Sequence, residues 1–496
     1  MIGEVDAASA AQWVKVIDHT RCIGCHACTT ACKSENQVPL GVTRTYVKYV
    51  DVGAFPNSRR VFQVTRCNMC EDAPCVAACP TSAMYRRDDG IVDFDKRACI
   101  GCKACMAACP YDAIFINPED HSAEKCNFCA HRLDLGLEPA CVVVCPTEAI
   151  LVGDLRDPTS RVSHLVQRTP VSVRRPEKET RPKLFYLGAH QATLDPLAAR
   201  RPDGDIYMWS EKGDGVESGH PRPNSSAAAL LSYDVPHRIP WDWRVGLYTW
   251  TKSIAAGVYL VAILAALLGL LQWESGVVRW TAPLVAMGFL AITGGILIAD
   301  LEHPERFYYL FTRPQPKSWL VRGAVVLLVY GAVLALHLAG SLVGWTGLHR
   351  GLAWVGIPAA VAAAVYTAWL FAQAKARDLW QSPLLAPHLA VQAVLAGSAF
   401  LAPLVDGLAG WVAGSAAAHL VLVAAETTLT HPTAHAALAV HEMTRGRYAP
   451  WFWFGVVAVG LTVVTPWIGV LAPVGLVGLL AHEHAYVQAG QAVPLA

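Results

Sequence analysis

The sequence predicts a multi-domain protein, with a cysteine-rich α+β domain at the amino terminus and an all-α transmembrane bundle of about eight helices at the carboxy terminus. Two observations predict this division. The cysteines lie between Cys22 and Cys145 and nowhere else, whereas residues 245–490 are dominated by Ala, Leu, Val and Gly. A chain of 496 residues is also too long for one compact core. We therefore expect a cysteine-rich domain at 1–153, a linker at 154–244 and a membrane domain at 245–490.

The sixteen cysteines form four groups of four. The first and third groups have the spacing Cys-x2-Cys-x2-Cys-x3-Cys, which is typical of bacterial ferredoxins. Sixteen thiolates are the number that four cubane [4Fe-4S] clusters require, and we expect a double bacterial-ferredoxin-like domain that binds them. In chain order the groups are Cys22, Cys25, Cys28, Cys32; Cys67, Cys70, Cys75, Cys79; Cys99, Cys102, Cys105, Cys109; and Cys126, Cys129, Cys141, Cys145.

Two other uses of so many cysteines fit the pattern less well. A disulfide scaffold does not repeat a three-residue spacing, and the segment MIGEVDAASAAQWVKVIDHT at the start of the sequence has no secretory signal. Structural zinc sites with four cysteine ligands use two paired knuckles instead of tight quartets. The net charge of +1 gives no global field that would attract nucleic acid.

The linker is rich in Pro, Arg, Asp, Gly and Ser. Its run EKGDGVESGHPRPNSSAAA (211–229) is typical of a flexible loop, whereas KLFYLGAHQATLDP (183–196) has a more ordered character. We expect this stretch to pack along the cysteine-rich domain and to tether that domain to the membrane.

Uncharged apolar runs of about twenty residues predict the membrane helices. The long run 448–481 exceeds one span and carries Pro466 and Pro473 in its middle, so we interpret it as two short helices. The total is then eight spans, with seven as the alternative. The other predicted spans are 245–271, 277–300, 317–344, 351–374, 382–404 and 408–428.

The distribution of lysine and arginine predicts the orientation. With the first six spans fixed, the loops on the side of the cysteine-rich domain carry ten basic residues, and the opposite loops carry only Arg279 and Arg350. Basic residues accumulate in cytoplasmic loops. We therefore expect a multi-pass protein of the inner or plasma membrane, with its cysteine-rich domain on the cytoplasmic face.

Ionisable and aromatic residues concentrate at one end of the predicted bundle. Ionisable groups inside a membrane are costly and usually functional. A quinone takes up two electrons and two protons, and it needs hydrogen-bond donors to its carbonyl oxygens and a proton relay. We expect menaquinone or ubiquinone to bind at this end, and no residue that activates another substrate is visible. The candidate quinone-binding residues are Tyr248, Trp250, Lys252, Asp300, His303 and Arg306.

Residues 14–152 resemble the four-cluster ferredoxin subunit of membrane-bound molybdopterin oxidoreductases, the NrfC and polysulfide reductase B type. The resemblance implies that the first cysteine group pairs with the fourth and the second with the third. Cys102 is present where some relatives replace a ligand and carry a three-iron cluster. The implied ligand sets are Cys22, Cys25, Cys28, Cys145; Cys32, Cys126, Cys129, Cys141; Cys67, Cys70, Cys75, Cys109; and Cys79, Cys99, Cys102, Cys105.

Residues 245–490 resemble the NrfD/polysulfide reductase C membrane subunit. That resemblance implies quinone binding without haem, although haem b could in principle use two of the deeper histidines His337, His388 and His419. The segments that carry it are TWTKSIAAG (249–257), ADLEHPERFYYLFTRPQPKSWLVRG (299–323), YTAWLFAQAKARDLWQSPLL (366–385) and ETTLTHPTAHAALAVHEMTRGRYAPWFW (426–453).

The two resemblances together imply an electron-transfer subunit that links the quinone pool to a separate catalytic subunit, most simply a molybdenum or tungsten bis-pterin oxidoreductase. Three alternatives stay open. The partner can be a nickel–iron hydrogenase, the protein can be part of a redox-driven proton-translocating complex that oxidises quinol, or the membrane half can be a plain anchor.

Overall fold

The structure is a computed structural model, and it divides into two compact units. Unit 1 consists of Met1–Pro240 and Val493–Ala496, and unit 2 consists of Trp241–Ala492. Most of the predicted flexible run 211–229 lies outside the described residues. The residues that the structure describes are 11–53, 56–200 and 229–495.

Unit 1 is built from short strands and helices. Its strands are β1 (Trp13–Asp18), β2 (Thr45–Val52), β3 (Arg59–Arg66), β4 (Met84–Arg86), β5 (Val92–Phe94), β6 (Ile114–Ile116), β7 (Ala123–Lys125), β8 (Ile150–Asp154), β9 (Val171–Ser172), β10 (Leu184–Leu187) and β11 (Ala229–Tyr233). Its helices are α1 (Ala27–Glu35), α2 (Pro74–Ala78), α3 (Ala104–Ala108), α4 (Ala130–Leu133), α5 (Ala140–Val143), α6 (Arg161–Arg168) and α7 (Gln191–Leu194).

Two sheets and two hairpins organise these elements. The first sheet has the order β8-β1-β10-β9, in which β1 runs antiparallel to β8 and parallel to β10. The second sheet has the order β11-β2-β3, and β4-β5 and β6-β7 form antiparallel hairpins. Strand β1 is fully buried at Val14, Val16 and Ile17, which identifies it as a core strand.

The predicted linker contributes to both sheets. Its strand β10 pairs with β1, with Lys15 opposite Leu184, and β11 pairs with β2. Near the end of this stretch, His237 lies between two acids: its Nδ1 is 2.5 Å from Asp112 and its Nε2 is 3.1 Å from Asp234. Backbone pairing with β1 and β2 makes the described residues of this stretch, up to Pro240, an integral part of unit 1.

Unit 2 is helical. Its helices are α8 (Trp243–Leu267), α9 (Ala282–Ala299, preceded by a π-helical turn at Val277–Thr281), α10 (Tyr309–Thr312), α11 (Trp319–Val343), α12 (Thr346–Gln373), α13 (Leu385–Leu401), α14 (Ala409–Thr428), α15 (Ala434–Thr444), α16 (Ala449–Thr462) and α17 (Val474–Ala492).

Six helices in the described part of the chain are long and apolar enough to cross a membrane. Helices α13 and α16 are apolar but shorter, with 17 and 14 residues, so the total of eight spans stays a prediction. The run 448–481 divides into two helices around Pro466 and Pro473. The second of these, α17, continues beyond the predicted limit to Ala492, and it carries His482 and Glu483 inside the helix.

Helix α8 is the central helix of unit 2, because it packs against α9, α12, α13 and α17. Glycines permit its closest contact. A methyl group added at Gly257 would overlap the backbone carbonyl of Ala393 on α13, and one at Gly397 would overlap the carbonyl of Gly257. Small residues at such crossings let two helix backbones approach each other within a membrane.

We predict that Gly257→Ala destabilises the folded chain by about 1–3 kcal/mol, because the added methyl group meets backbone atoms that cannot move aside. Thermal unfolding of the purified protein in detergent measures this change. Gly288→Ala is the matched control, since a methyl group at Gly288 has nothing within 4 Å. Equal melting temperatures for the two variants would contradict the predicted contact.

We also predict a pH-dependent contribution from His237. Burial lowers its pKa, but Asp234 and Asp112 outweigh burial and raise the pKa to about 9. A raised folded-state pKa means that the protonated ring stabilises the fold below its ordinary pKa of about 6.5, and that this stabilisation disappears as the pH rises through about 9. The melting temperature of His237→Gln should therefore lie below that of the unmodified chain at pH 6.5, and the two should converge by pH 10. A difference that is constant with pH would contradict this assignment.

Candidate functional site

The cysteines of unit 1 converge in sets of four. Three cavities are each lined by four cysteine side chains: Cys79, Cys99, Cys102 and Cys105; Cys67, Cys70, Cys75 and Cys109; and Cys32, Cys126, Cys129 and Cys141. The fourth set is identified by charge proximity, since the Cys22 thiol interacts electrostatically with Cys25, Cys28 and Cys145. The structure thus brings together the four ligand sets that the resemblance implies.

The two groups with ferredoxin spacing share one loop conformation. In the first, Gly24 and His26 have φ of 69° and 60°, and in the other, Gly101 and Lys103 have φ of 68° and 60°. Left-handed residues at these two points reverse the chain between successive cysteines, so that three thiols face one cavity. A methyl group at Gly24 would overlap the ring of Phe62, which gives that position a second reason to be glycine.

The surroundings of the sulfurs suit thiolate ligands. Sixteen cysteines lie in the described residues, and none of them forms a disulfide bond. Several backbone N–H groups point at sulfur, as the negative charge of an iron–sulfur cluster requires. These contacts are Met84 N to Cys79 Sγ (3.3 Å), Gly101 N and Ala123 N to Cys99 Sγ (3.4 Å each), and Ala149 N to Cys145 Sγ (3.2 Å). The donor set therefore fits cubane clusters.

Two buried cations lie beside one quartet. Arg66 Nη1 is 3.0 Å from Cys141 Sγ, and Lys15 Nζ is 3.9 Å from the same sulfur. Both side chains are buried. Burial raises the pKa of the Cys141 thiol, but Lys15 and Arg66 outweigh burial, and the pKa falls below its ordinary value. The same charges would favour the reduced, more negative state of a cluster held by Cys32, Cys126, Cys129 and Cys141.

In unit 2, three of the predicted quinone residues belong to one polar cluster. Lys252 is fully buried, and its Nζ donates to the carbonyl of Ala364 (2.5 Å) and to Thr367 Oγ1 (2.7 Å). Tyr248, one helical turn earlier on α8, interacts electrostatically with Tyr366 and Asp300.

Glu483 completes this cluster. Its carboxylate interacts with both Lys252 and Tyr248. The side chain of Asp300 is 12% exposed, and Arg244 lies 3.7 Å from it. Tyr248 therefore interacts with the partly exposed Asp300 and with the buried acid Glu483, which in turn interacts with Lys252.

The other three predicted residues lie elsewhere. Trp250 points away from Lys252, and its Nε1 donates to the carbonyl of Leu476 (2.7 Å). His303 Nδ1 and Arg306 Nε lie 3.0 Å and 3.5 Å from the exposed carboxylate of Glu305. The structure therefore does not bring all six residues together at one point.

Sequence reasoning did not identify several polar residues of unit 2. Tyr366 and Thr367 resemble ordinary residues of an apolar helix. His482 and Glu483 follow the predicted end of the last span at residue 481, so the prediction leaves them outside the membrane helix. The sequence signal is the pair of ionisable residues His482 and Glu483 within AHEHAY (481–486). It becomes visible only when the last helix is extended past Ala481.

Comparison with known proteins agrees with both halves. A 4Fe-4S dicluster domain matches residues 59–155, and the family described as polysulphide reductase, NrfD, matches residues 232–493. The B component of the tetrathionate reductase of Salmonella typhimurium is 43% identical over 205 residues, which is 40% of this chain and 80% of that protein.

Two further relatives match this chain with a similar identity over a similar number of residues. The B component of the polysulfide reductase of Wolinella succinogenes is 42% identical over 181 residues, or 36% of this chain and 95% of that protein. Protein NrfC of Escherichia coli is 43% identical over 175 residues, or 35% of this chain and 78% of that protein. The resemblances that the sequence predicted are confirmed. This chain is a member of the polysulphide reductase NrfD family, and it joins that membrane domain in one polypeptide to an iron–sulfur domain of the NrfC and polysulfide reductase B type.

Proposed function

We propose that this membrane protein carries electrons between the quinone pool and a separate catalytic subunit. One observation carries the proposal: four cysteine quartets and a buried polar cluster of tyrosine, lysine and acids occur in the same NrfD-family chain. The quartets suit one-electron carriers, and the polar cluster suits a carrier of two electrons and two protons. A subunit that passes electrons between the two kinds of carrier needs both the cysteine quartets and the polar cluster.

The cysteine quartets would hold four [4Fe-4S] clusters, which when bound supply a series of one-electron carriers. The protein's own contribution is to hold the thiolates in sets of four and to direct backbone N–H groups at them. Arg66 and Lys15 place positive charge beside Cys141, which would make one position in the series easier to reduce than its neighbours.

The polar cluster of unit 2 would bind the quinone head group. Quinone reduction adds two electrons and two protons and yields quinol, and quinol oxidation reverses this. Lys252 can donate a hydrogen bond to a carbonyl oxygen. Asp300, which is partly exposed, can exchange a proton with solvent, and Tyr248 interacts electrostatically with Asp300 and with Glu483, the acid that also interacts with Lys252.

The catalytic partner would be a molybdenum or tungsten bis-pterin oxidoreductase. The names of the relatives support this, since two of them are named as parts of a tetrathionate reductase and a polysulfide reductase.

The excess of basic residues in the loops on the side of unit 1 supports a cytoplasmic face for the iron–sulfur domain. Helices α13 and α16 would complete a bundle of eight spans.

Anaerobically purified full-length protein should contain about sixteen iron atoms and about sixteen acid-labile sulfides, because each of four cubanes contributes four of each. Cys102→Ser should lower the iron content by about one atom and give the electron paramagnetic resonance signal of an oxidised three-iron cluster. A folded, colourless protein would overturn the proposed function, as would zinc bound in the cysteine quartets.

Asp300→Asn should slow quinol oxidation by about 100-fold, since a positioned proton-transfer group contributes about 10²–10⁴-fold. Lys252→Met should slow it as well, through the lost donor to a quinone carbonyl. The assay follows reduction of the iron–sulfur chromophore by a quinol analogue, with iron content measured in parallel. Glu274→Gln, which removes an exposed carboxylate from the loop after α8, is the matched control and should leave the rate unchanged. Unchanged rates in both Asp300→Asn and Lys252→Met would identify unit 2 as a plain anchor.

A further inference from the structure

Three histidines converge inside unit 2, outside the polar cluster around Lys252. His388 lies on α13, His419 on α14 and His482 on α17, and all three side chains are buried. One ring nitrogen from each residue lies within 4.8 Å of the corresponding nitrogens of the other two. Nothing in the proposed electron path uses these imidazoles.

A carboxylate fixes the orientation of one of the rings. Glu426, seven residues after His419 on α14, has its Oε2 2.9 Å from His388 Nδ1. With Glu426 ionised, its carboxylate accepts a hydrogen bond from His388 Nδ1, and His388 Nε2 then presents its lone pair to the other histidines. A carboxylate bonded to the outer nitrogen of an imidazole is the usual support of a metal-binding histidine.

The hydrogen bonds of the three histidines leave one buried ring nitrogen without a partner among the described residues. His388 Nε2 lies 2.8 Å from His419 Nδ1, so these two atoms face each other across α13 and α14. His482 Nδ1 is buried and has no hydrogen-bond partner among the described residues. Buried polar atoms are normally paired, and the His482 ring centroid lies 5.4 Å from that of His388 and 4.9 Å from that of His419, so this unpartnered nitrogen is available to a cation bound at the cluster.

The charges around the histidines also favour a cation. Glu483 interacts electrostatically with Lys252, His388 and Glu426, so two acids, Glu426 and Glu483, lie close to the three imidazoles. Lys252 offsets one of these carboxylates. A cation among the imidazoles would lie close to the other carboxylate, and buried charges are retained when they are paired.

We propose that His388, His419 and His482 bind one divalent transition-metal ion of the zinc class, with Glu426 as the carboxylate that orients His388. Imidazole suits zinc, and three histidine ligands with a fourth open position are a common zinc arrangement. With Zn–N distances of about 2.0–2.1 Å, the three nitrogens would adjust their separations by about an ångström. The ion would fasten α13, α14 and α17 together.

The test uses the full-length protein in detergent, loaded with zinc chloride and then passed through a chelator and a desalting column. Zinc and iron are counted together by mass spectrometry. The unmodified protein should retain about one zinc ion per polypeptide. His482→Ala should retain less than about a tenth of that amount, and Glu426→Gln should bind zinc about 10–100-fold more weakly, as the loss of an orienting carboxylate does.

His484→Ala is the matched control. His484 is two residues from His482 on the same helix, but its ring packs against Trp451 at 4.9 Å, away from the three histidines. It should retain zinc like the unmodified protein. Iron content and elution volume establish that each variant is folded, and His482→Gln replaces His482→Ala if the smaller side chain destabilises the bundle.

X-ray absorption at the zinc edge identifies the ligands, and the proposal requires imidazole nitrogen without sulfur. Three results would overturn it. In the first, the unmodified protein has its full iron content but takes up no zinc. Alternatively, His482→Ala retains as much zinc as His484→Ala, or sulfur appears among the ligands and shows that zinc occupies a cysteine quartet.

Discussion

The constraint on which unit 1 depends is the gathering of sixteen thiols into four sets of four. Burial raises the pKa of the Cys22 thiol to about 11, with further contributions from its cysteine neighbours, and the pKa of Cys32 is raised to about 12 in the same way. Thiols in this state do not ionise without a compensating cation. Because a cysteine binds iron only as the deprotonated thiolate, cluster assembly would be coupled to the folding of this unit, as metal binding is in other small metal domains.

That constraint explains why many helices and strands of unit 1 are so short. Most of its helices have only four or five residues, and its hairpin strands have three. Elements of this size do not form a stable core by themselves. Cys75, Cys105 and Cys141 lie within three of these helices, so metal–sulfur bonds would replace much of the apolar packing that a longer element supplies. The two larger sheets, which include β10 and β11 from the predicted linker, hold the quartets from outside.

Unit 2 is constrained differently, because polar groups inside an apolar bundle must form their hydrogen bonds and charge pairs with one another. Lys252 is surrounded by the Ala364 carbonyl, Thr367 and Glu483, and His388 is bonded to Glu426. These groups come from α8, α12, α13, α14 and α17, so that the helices are joined by buried polar contacts as well as by glycine-mediated packing. Such contacts are costly unless complete, and ionisable groups inside a membrane bundle are usually functional.

The sequence by itself determined the two halves, the four cysteine groups and the apolar runs, because each of these depends on spacing along the chain. It also located Tyr248, Lys252 and Asp300, since ionisable residues stand out against apolar helices. It did not show that Trp250 and Lys252 contact different neighbours. The two side chains leave α8 in different directions, and only the packing of the other helices decides what each one meets. Nor did it identify Glu483 and His482, whose helix continues past the last apolar run. Which cysteines share a cavity, and which histidines face one another across α13, α14 and α17, was decided by tertiary structure, because those distances depend on how separate segments pack.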